Sequence, residues 1–359
     1  MKKIIGIIVV IAVLIGITSI SASNKDKTNE SVIKIGLALP LTGNAAFLGE
    51  PSQKAAELAL KDAGETKYQY ELVFEDHQFT PKNAASVASK LINTDKVLAI
   101  INFGSGTGNA ISPITESSKV THFSLASDPT VAAGEYNFIH WTPPFKEGQL
   151  LASELAKRGY KKVSIIDTNH PGTMAVADSI KSSLKSTNVE IASYDLTNIG
   201  DKDFRTTINK IKNLNPDIIV LEMFSPEVEI VTRQMRELGL KIPVTSVETF
   251  EWSDDPKLFE GSWFVSDTMV PAFSEKYKLE YGSDAKPGAS YVYDLVSLLI
   301  KIQENSKEPI QPKDLPAIIS KLSEYDSPVF GNVKIDKDGF FITEASVKIM
   351  KNGKAEAVK

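Results

Sequence analysis

Apolar positions along this chain fall into short unbroken runs, each followed by a stretch in which they recur every three or four residues. The runs predict buried strands and the wider spacing predicts amphipathic helices. Strands are expected over residues 33–40, 70–75, 97–103 and 121–126, with helices over 55–63, 82–92 and 109–119 between them. The rhythm then restarts. Strands over 162–167, 190–194, 217–223 and 242–247 alternate with helices over 174–184, 204–214 and 227–238, the last stopping at Gly239. Two consecutive β-α-β-α series predict an α/β chain of two doubly wound, Rossmann-like lobes, each a parallel sheet covered by helices on both faces. The tail breaks the rhythm: helices over 291–304 and 314–322 precede a terminal β-hairpin built from 329–335 and 345–350. Phe330-Gly331 and Asp338-Gly339 supply its turn glycines.

The N-terminus carries a different pattern. Lys2 and Lys3 precede an apolar run from Ile4 to Ile17, and small residues follow from Thr18 to Ser23. Basic, apolar, small is the order of a secretory signal. The run falls short of the roughly 20 residues that span a bilayer, though including 18–22 brings it close. Residues 1–23 are therefore expected to be a signal peptide or an N-terminal anchor, with the charged stretch 24–31 as a flexible linker. Either makes the protein exported: periplasmic, or at the cell surface or extracellular, and in contact with a membrane only through that segment if it stays uncleaved.

Composition narrows the chemistry. The chain has no cysteine, which excludes a Cys-anchored lipoprotein, disulfides and thiolate metal sites. A formal net charge of −5 with no basic run argues against a nucleic-acid partner. His77, His122, His140 and His170 are scattered without metal-ligand spacing, and no Gly-x-Ser-x-Gly elbow occurs. No metal, no cofactor and no catalytic set is expected, so the reading is a binding protein and not an enzyme. His122, inside a strand, reads as a core residue. Trp252 and Trp263 are expected to pack near the connections between lobes, while Trp141 either lines the cleft or pads it.

Ligands of open α/β sheets sit beyond the carboxyl ends of the strands. Residues 102–109, with Gly104, Gly106 and Gly108, form a loop there whose backbone N–H groups can approach an anion at a helix start. It lacks the Gly-Lys-Ser/Thr of a phosphate loop and the dinucleotide glycine pattern. Ser105 and Thr107 offer hydroxyls suited to a carboxylate, although a plain glycine-rich turn reads the same way. Ala126-Ser127-Asp128 ends the fourth strand. Asp128 either caps a turn through Pro129 or supplies charge to the cleft. Glu248 ends the last strand of the second series, either in the cleft, where it suits an ammonium group, or as a solvated loop residue.

These features resemble the branched-chain amino-acid-binding (Leu/Ile/Val-type) receptors of ABC transporters, within the type I periplasmic binding-protein, or Venus-flytrap, fold. The likeness runs over about residues 32–353. It is carried by Ile33-Lys-Ile-Gly-x-x-x-Pro-Leu-Thr-Gly43, by Gly200-Asp-Lys-Asp-Phe204 with Pro216-Asp217, and by Ser327-Pro-Val-Phe-Gly331 with Asp336-x-x-Gly339. The resemblance implies that Ser105 binds a ligand α-carboxylate, that the Ala126 carbonyl and Glu248 receive an α-ammonium, and that Asp128 stands where a Thr commonly helps hold both groups, with Ser127 beside it at the ligand. It implies a side-chain pocket formed by Phe47, Leu48, His170 and Phe224, which Trp141 joins if it lines the cleft. Phe224 stands for a common Tyr, and Pro171-Gly172 for a Tyr-Gly pair, so a ligand other than leucine is compatible: an amino acid with an extra cationic group, or a small amide or carboxylate. Three hinge crossovers are implied near 142–144, 267–268 and 326–327. They divide the chain into an N-terminal lobe of 32–143 plus 269–327 and a C-terminal lobe of 144–268 plus 328–359. The implied partners are a small-molecule ligand and an ABC permease, with a ligand-sensing ectodomain as the alternative.

Overall fold

The computed structural model describes residues 32–43 and 45–358; the expected signal or anchor and its linker lie outside them. The first series forms strands β1 (Val32–Leu39), β2 (Gln69–Asp76), β3 (Ala99–Phe103), β4 (Thr121–Leu125) and β5 (Asn137–His140). They pair in parallel in the order β2-β1-β3-β4-β5. Helices α1 (Ala46–Asp62), α2 (Pro81–Lys90) and α3 (Ser105–Ser118) connect them. Every residue of β3 and β4 is buried, as expected where helices cover both faces of a parallel sheet.

Helix α4 (Pro144–Lys157) opens the second series. Strands β6 (Lys162–Thr168), β7 (Glu190–Thr197), β8 (Ile218–Glu222) and the short β9 (Val244–Thr245) form a parallel sheet in the order β7-β6-β8-β9. Helices α5 (Pro171–Leu184), α6 (Arg205–Leu214) and α7 (Glu227–Glu237) link its strands, and α8 (Thr249–Trp252) follows β9. Strand β10 (Trp263–Asp267) joins this sheet through a parallel bridge between Val247 and Val265. Helices α9 (Pro271–Tyr281), α10 (Ala289–Glu304) and α11 (Leu315–Leu322) come next. Of these, α10 packs on the first lobe: Tyr291, Val292, Leu295 and Leu299 lie in the same apolar core as Ile35, Leu37 and Ile101.

The tail departs from the expected hairpin. Strands β11 (Glu324–Ser327), β12 (Gly331–Ile335) and β13 (Phe340–Ile342) extend the first sheet, β13 pairing in parallel with β5. Only β14 (Ala345–Lys351) and β15 (Lys354–Ala357) belong to the second lobe, where β14 pairs antiparallel with β10. The Asp336–Gly339 turn therefore closes a hairpin within the first lobe. Residues 331–342, expected in the second lobe, pair with the first, and the chain crosses for the third time at Thr343-Glu344. The first sheet needs them: Phe341 is fully buried and packs edge-on against Phe123 and Phe138.

The crossings are tied by polar contacts. Buried Asp294 of α10 accepts hydrogen bonds from Ser327 Oγ (2.6 Å) and Tyr325, and its other partner is His140 Nε2 at 2.7 Å. Thr142 Oγ1 lies 2.9 Å from both the Tyr291 hydroxyl and Thr343 Oγ1. Apart from the half-buried Tyr325, each group is buried, so unpaired it would cost about 1–3 kcal/mol.

Candidate functional site: an aromatic cleft between the lobes

The carboxyl ends of the parallel strands of both lobes face one small cavity. On the first lobe, α3 begins directly after β3, so residues expected as a glycine-rich loop form its first turn. Gly104 precedes it at φ +107°, and a Cβ there would stand 2.6 Å from the Phe79 ring. Ser105 Oγ accepts from the backbone N–H groups of Ser127 (3.1 Å) and Asp128 (3.2 Å). Its own proton is thereby left for an acceptor in the cavity, at a helix start that favours negative charge. Thr107 is spent differently, its hydroxyl bonding back to the Phe103 and Gly104 carbonyls.

The second lobe meets this wall closely. His170 caps α5, its Nδ1 accepting from the Gly172 N–H at 3.2 Å. That bond places the ring proton on Nε2, and burial lowers the pKa to about 4, so the ring is neutral. A Cβ on Gly172 would lie 2.8 Å from Ser105 Oγ. The Phe79 ring of the first lobe stacks on His170 at 5.6 Å and meets Phe224 edge-on at 6.1 Å. From Phe224 the rings continue through Trp252 (6.0 Å), Trp141 (6.0 Å) and Phe103 (6.0 Å). The lobes thus touch around the cavity, and aromatic faces make much of its wall.

Charge enters from the second lobe. Glu248 sits at φ +59°, a left-handed backbone rare outside glycine, with its N–H held by the Val265 carbonyl at 2.7 Å. Its Oε2 accepts from Trp141 Nε1 at 3.1 Å, a bond between lobes. Glu222, at the end of β8, accepts from the Val247 N–H at 2.8 Å. Burial raises both carboxyls, Glu248 to about 8 with repulsion from Asp267 adding to it, and Glu222 well above the usual carboxylate range. Among the described residues, no lysine or arginine lines the cavity.

Of the residues singled out from sequence, Ser105, Ala126, Ser127, Trp141, His170, Phe224 and Glu248 surround this cavity. Three do not. Asp128 caps the turn at Pro129–Ala132, and its carboxylate is taken by Asn109 Nδ2 (2.7 Å) and by Thr130. Leu48 is buried in the first-lobe core, and Phe47 packs against it. Both belong to α1, which begins earlier than its apolar spacing suggested and runs through Pro51. Trp252, expected only as packing, lines the cavity, whereas Trp263 stacks on Tyr160 beneath Arg158 on the far side of the lobe. Sequence reasoning missed Phe79, Phe103, Glu222 and Met223. The last three sit at or just beyond strand ends, a positional signal that could have found them; Phe79 follows β2 by three residues.

The periplasmic binding protein family model matches residues 32–354. A Leu/Ile/Val-binding protein homolog 2 of Brucella abortus is 28% identical over 222 residues, the match spanning 60% of each chain. The leucine-, isoleucine-, valine-, threonine- and alanine-binding protein of Pseudomonas aeruginosa is 24% identical over 325 residues, 86% of each. Among solved structures, a leucine-binding protein of Thermotoga maritima superposes with a TM-score of 0.82 at 23% identity, covering 91% of this chain and 98% of its own. A Rhodopseudomonas palustris solute-binding protein in complex with 4-hydroxybenzoate gives 0.81 at 18% identity, covering 92% and 96%. With two α/β lobes, three crossings and a cleft at the strand ends, this chain belongs to the periplasmic binding protein family and has its type I fold.

Proposed function

We propose that the protein is an extracytoplasmic solute-binding receptor that closes on a small α-amino acid and delivers it to an ABC-transporter permease. One observation carries this reading: a hydroxyl at a helix N-terminus, Ser105, and a buried carboxyl, Glu248, line the same cavity from opposite lobes. The first suits a carboxylate and the second an ammonium. The rings of Phe79, Phe224 and Trp252 favour an apolar or aromatic side chain. A further cationic group on the ligand loses its support, because the Asp128 carboxylate is already taken. The relative from Pseudomonas aeruginosa, named for five small amino acids, agrees in ligand class.

A second reading is an aromatic carboxylate lacking an amine. It is favoured by the ring-lined wall and by a raised Glu248, which as a neutral acid can hydrogen-bond a hydroxyl. Mass spectrometry of the molecule released from natively purified protein separates the two. An α-amino acid supports the first reading, and an amine-free aromatic acid replaces it with the second.

A further inference from the structure

Behind Glu248, one layer from the cavity, lies a carboxyl that no reading of the sequence singled out. Glu147, in the first turn of α4, is fully buried, and neither of its oxygens receives a hydrogen bond from a donor group of the surrounding protein. What faces it is the Glu248 carboxyl. Two carboxylates only repel; such a contact becomes a hydrogen bond when a proton sits between them. The neighbours strengthen this demand. Glu222 on β8 and Asp267 on β10 add negative charge, and Glu251 on α8 lies near Glu248. Tyr291 on α10 also faces the group and stays a neutral phenol. The one cation among these groups, Lys348 on β14, is shared by Glu251 (3.0 Å) and Asp267 (3.3 Å).

We infer that Glu147 is a protonated positioning residue that donates to Glu248, and that the amine end of a ligand enters the cleft in exchange for a proton of this pair. In the empty cleft the pair is proton-loaded. When an ammonium group arrives, Glu248 gives its proton to solvent and becomes the carboxylate that accepts from the ammonium. Glu147 keeps its own proton and holds that carboxylate in place. Charge balances: one positive group enters and one proton leaves. The inference rests on the amino-acid reading for its ligand, but the loaded pair itself does not. Burial raises Glu147 well above the usual carboxylate range, in agreement with the geometry.

The test uses calorimetry of the whole protein with L-leucine, L-isoleucine, L-phenylalanine and the amine-free 4-hydroxybenzoate, in buffers of differing ionisation enthalpy. Amino-acid binding at pH 6.5 should release close to one proton, and affinity should rise up to about tenfold per pH unit until Glu248 is ionised. Glu147→Gln, which keeps a donor, should match wild type within about threefold. Glu147→Leu should bind about tenfold or more weakly and shift the pH rise upward. Amino-acid binding without proton release, or equal behaviour of the Gln and Leu variants, overturns this inference and leaves the receptor reading standing. No binding by any amino acid overturns both. Infrared spectra of the empty protein keep the pair testable should Glu147→Leu fail to fold. A buried protonated carboxyl band at pH 7 that weakens in Glu147→Gln is expected; no such band overturns the pair.

Discussion

Ser105 serves the fold in a way that keeps its proton free for the proposed ligand. Its oxygen terminates two backbone N–H groups at the start of the turn after β4, and its proton is what remains for a carboxylate. Ser105→Ala should weaken an amino-acid ligand about ten- to hundredfold in calorimetry, since hydrogen bonds to charged groups contribute about 1.5–3 kcal/mol. Titration follows from burial in the same way. His77, His122 and His170 are each lowered to about 4, so below pH 6.5 the unfolded chain takes up more protons and stability falls as pH drops. The raised carboxyls act oppositely: Glu222 and Glu248 hold protons in the folded state that the unfolded chain has lost, so stability falls as pH rises. Above pH 6.5 the histidine contribution fades as the unfolded imidazoles lose their protons. The melting temperature of the empty protein should therefore decline between about pH 6.5 and 8, and Glu248→Gln should flatten that decline. An undiminished decline in the variant would remove Glu248 from this role.

At the scale of elements, helices α3 and α5 meet end to end across the cleft, with Gly172 against Ser105. Alanine suits a helix better than glycine, so Gly172→Ala should leave the melting temperature unchanged or slightly raised. Its Cβ, 2.8 Å from Ser105 Oγ, would hold the lobes apart at this point. We expect ligand affinity to fall at least tenfold with no loss of stability; unchanged affinity would show that the two helices need not approach this closely. The Asp294 network ties β5, α10 and β11 where the chain leaves the first lobe. Asp294→Ala strands His140, Tyr325 and Ser327 and should cost about 3–5 kcal/mol in urea unfolding.

For the whole molecule, the two-lobed α/β plan was legible because its central strands are continuous apolar runs and its helices keep their spacing. The end of the chain was not. Gly331–Ile335 and Phe340–Ile342 are short, and local pattern cannot tell which of two sheets a short strand will join. That choice is made by the first core, where Phe341 fills the space beside Phe123 and Phe138. The lining of the candidate cavity was legible where a residue type and a strand end coincide, as at Ser105 and Glu248. It was misread where a plausible charge was already engaged, as at Asp128. Glu147 was invisible, since nothing in the spacing of α4 says that its carboxyl turns inward to meet another. All these features converge on one closed arrangement in which the proposed carboxylate and ammonium subsites share a ring-lined cavity. Calorimetric titration of the protein with L-amino acids and with matched acids lacking the amine tests it most directly. Saturable one-to-one binding of an apolar or aromatic amino acid is predicted, weakened about ten- to hundredfold in Ser105→Ala, lost in Glu248→Gln and absent for the amine-free acid. Equal affinity for the acid with and without its amine would contradict the account.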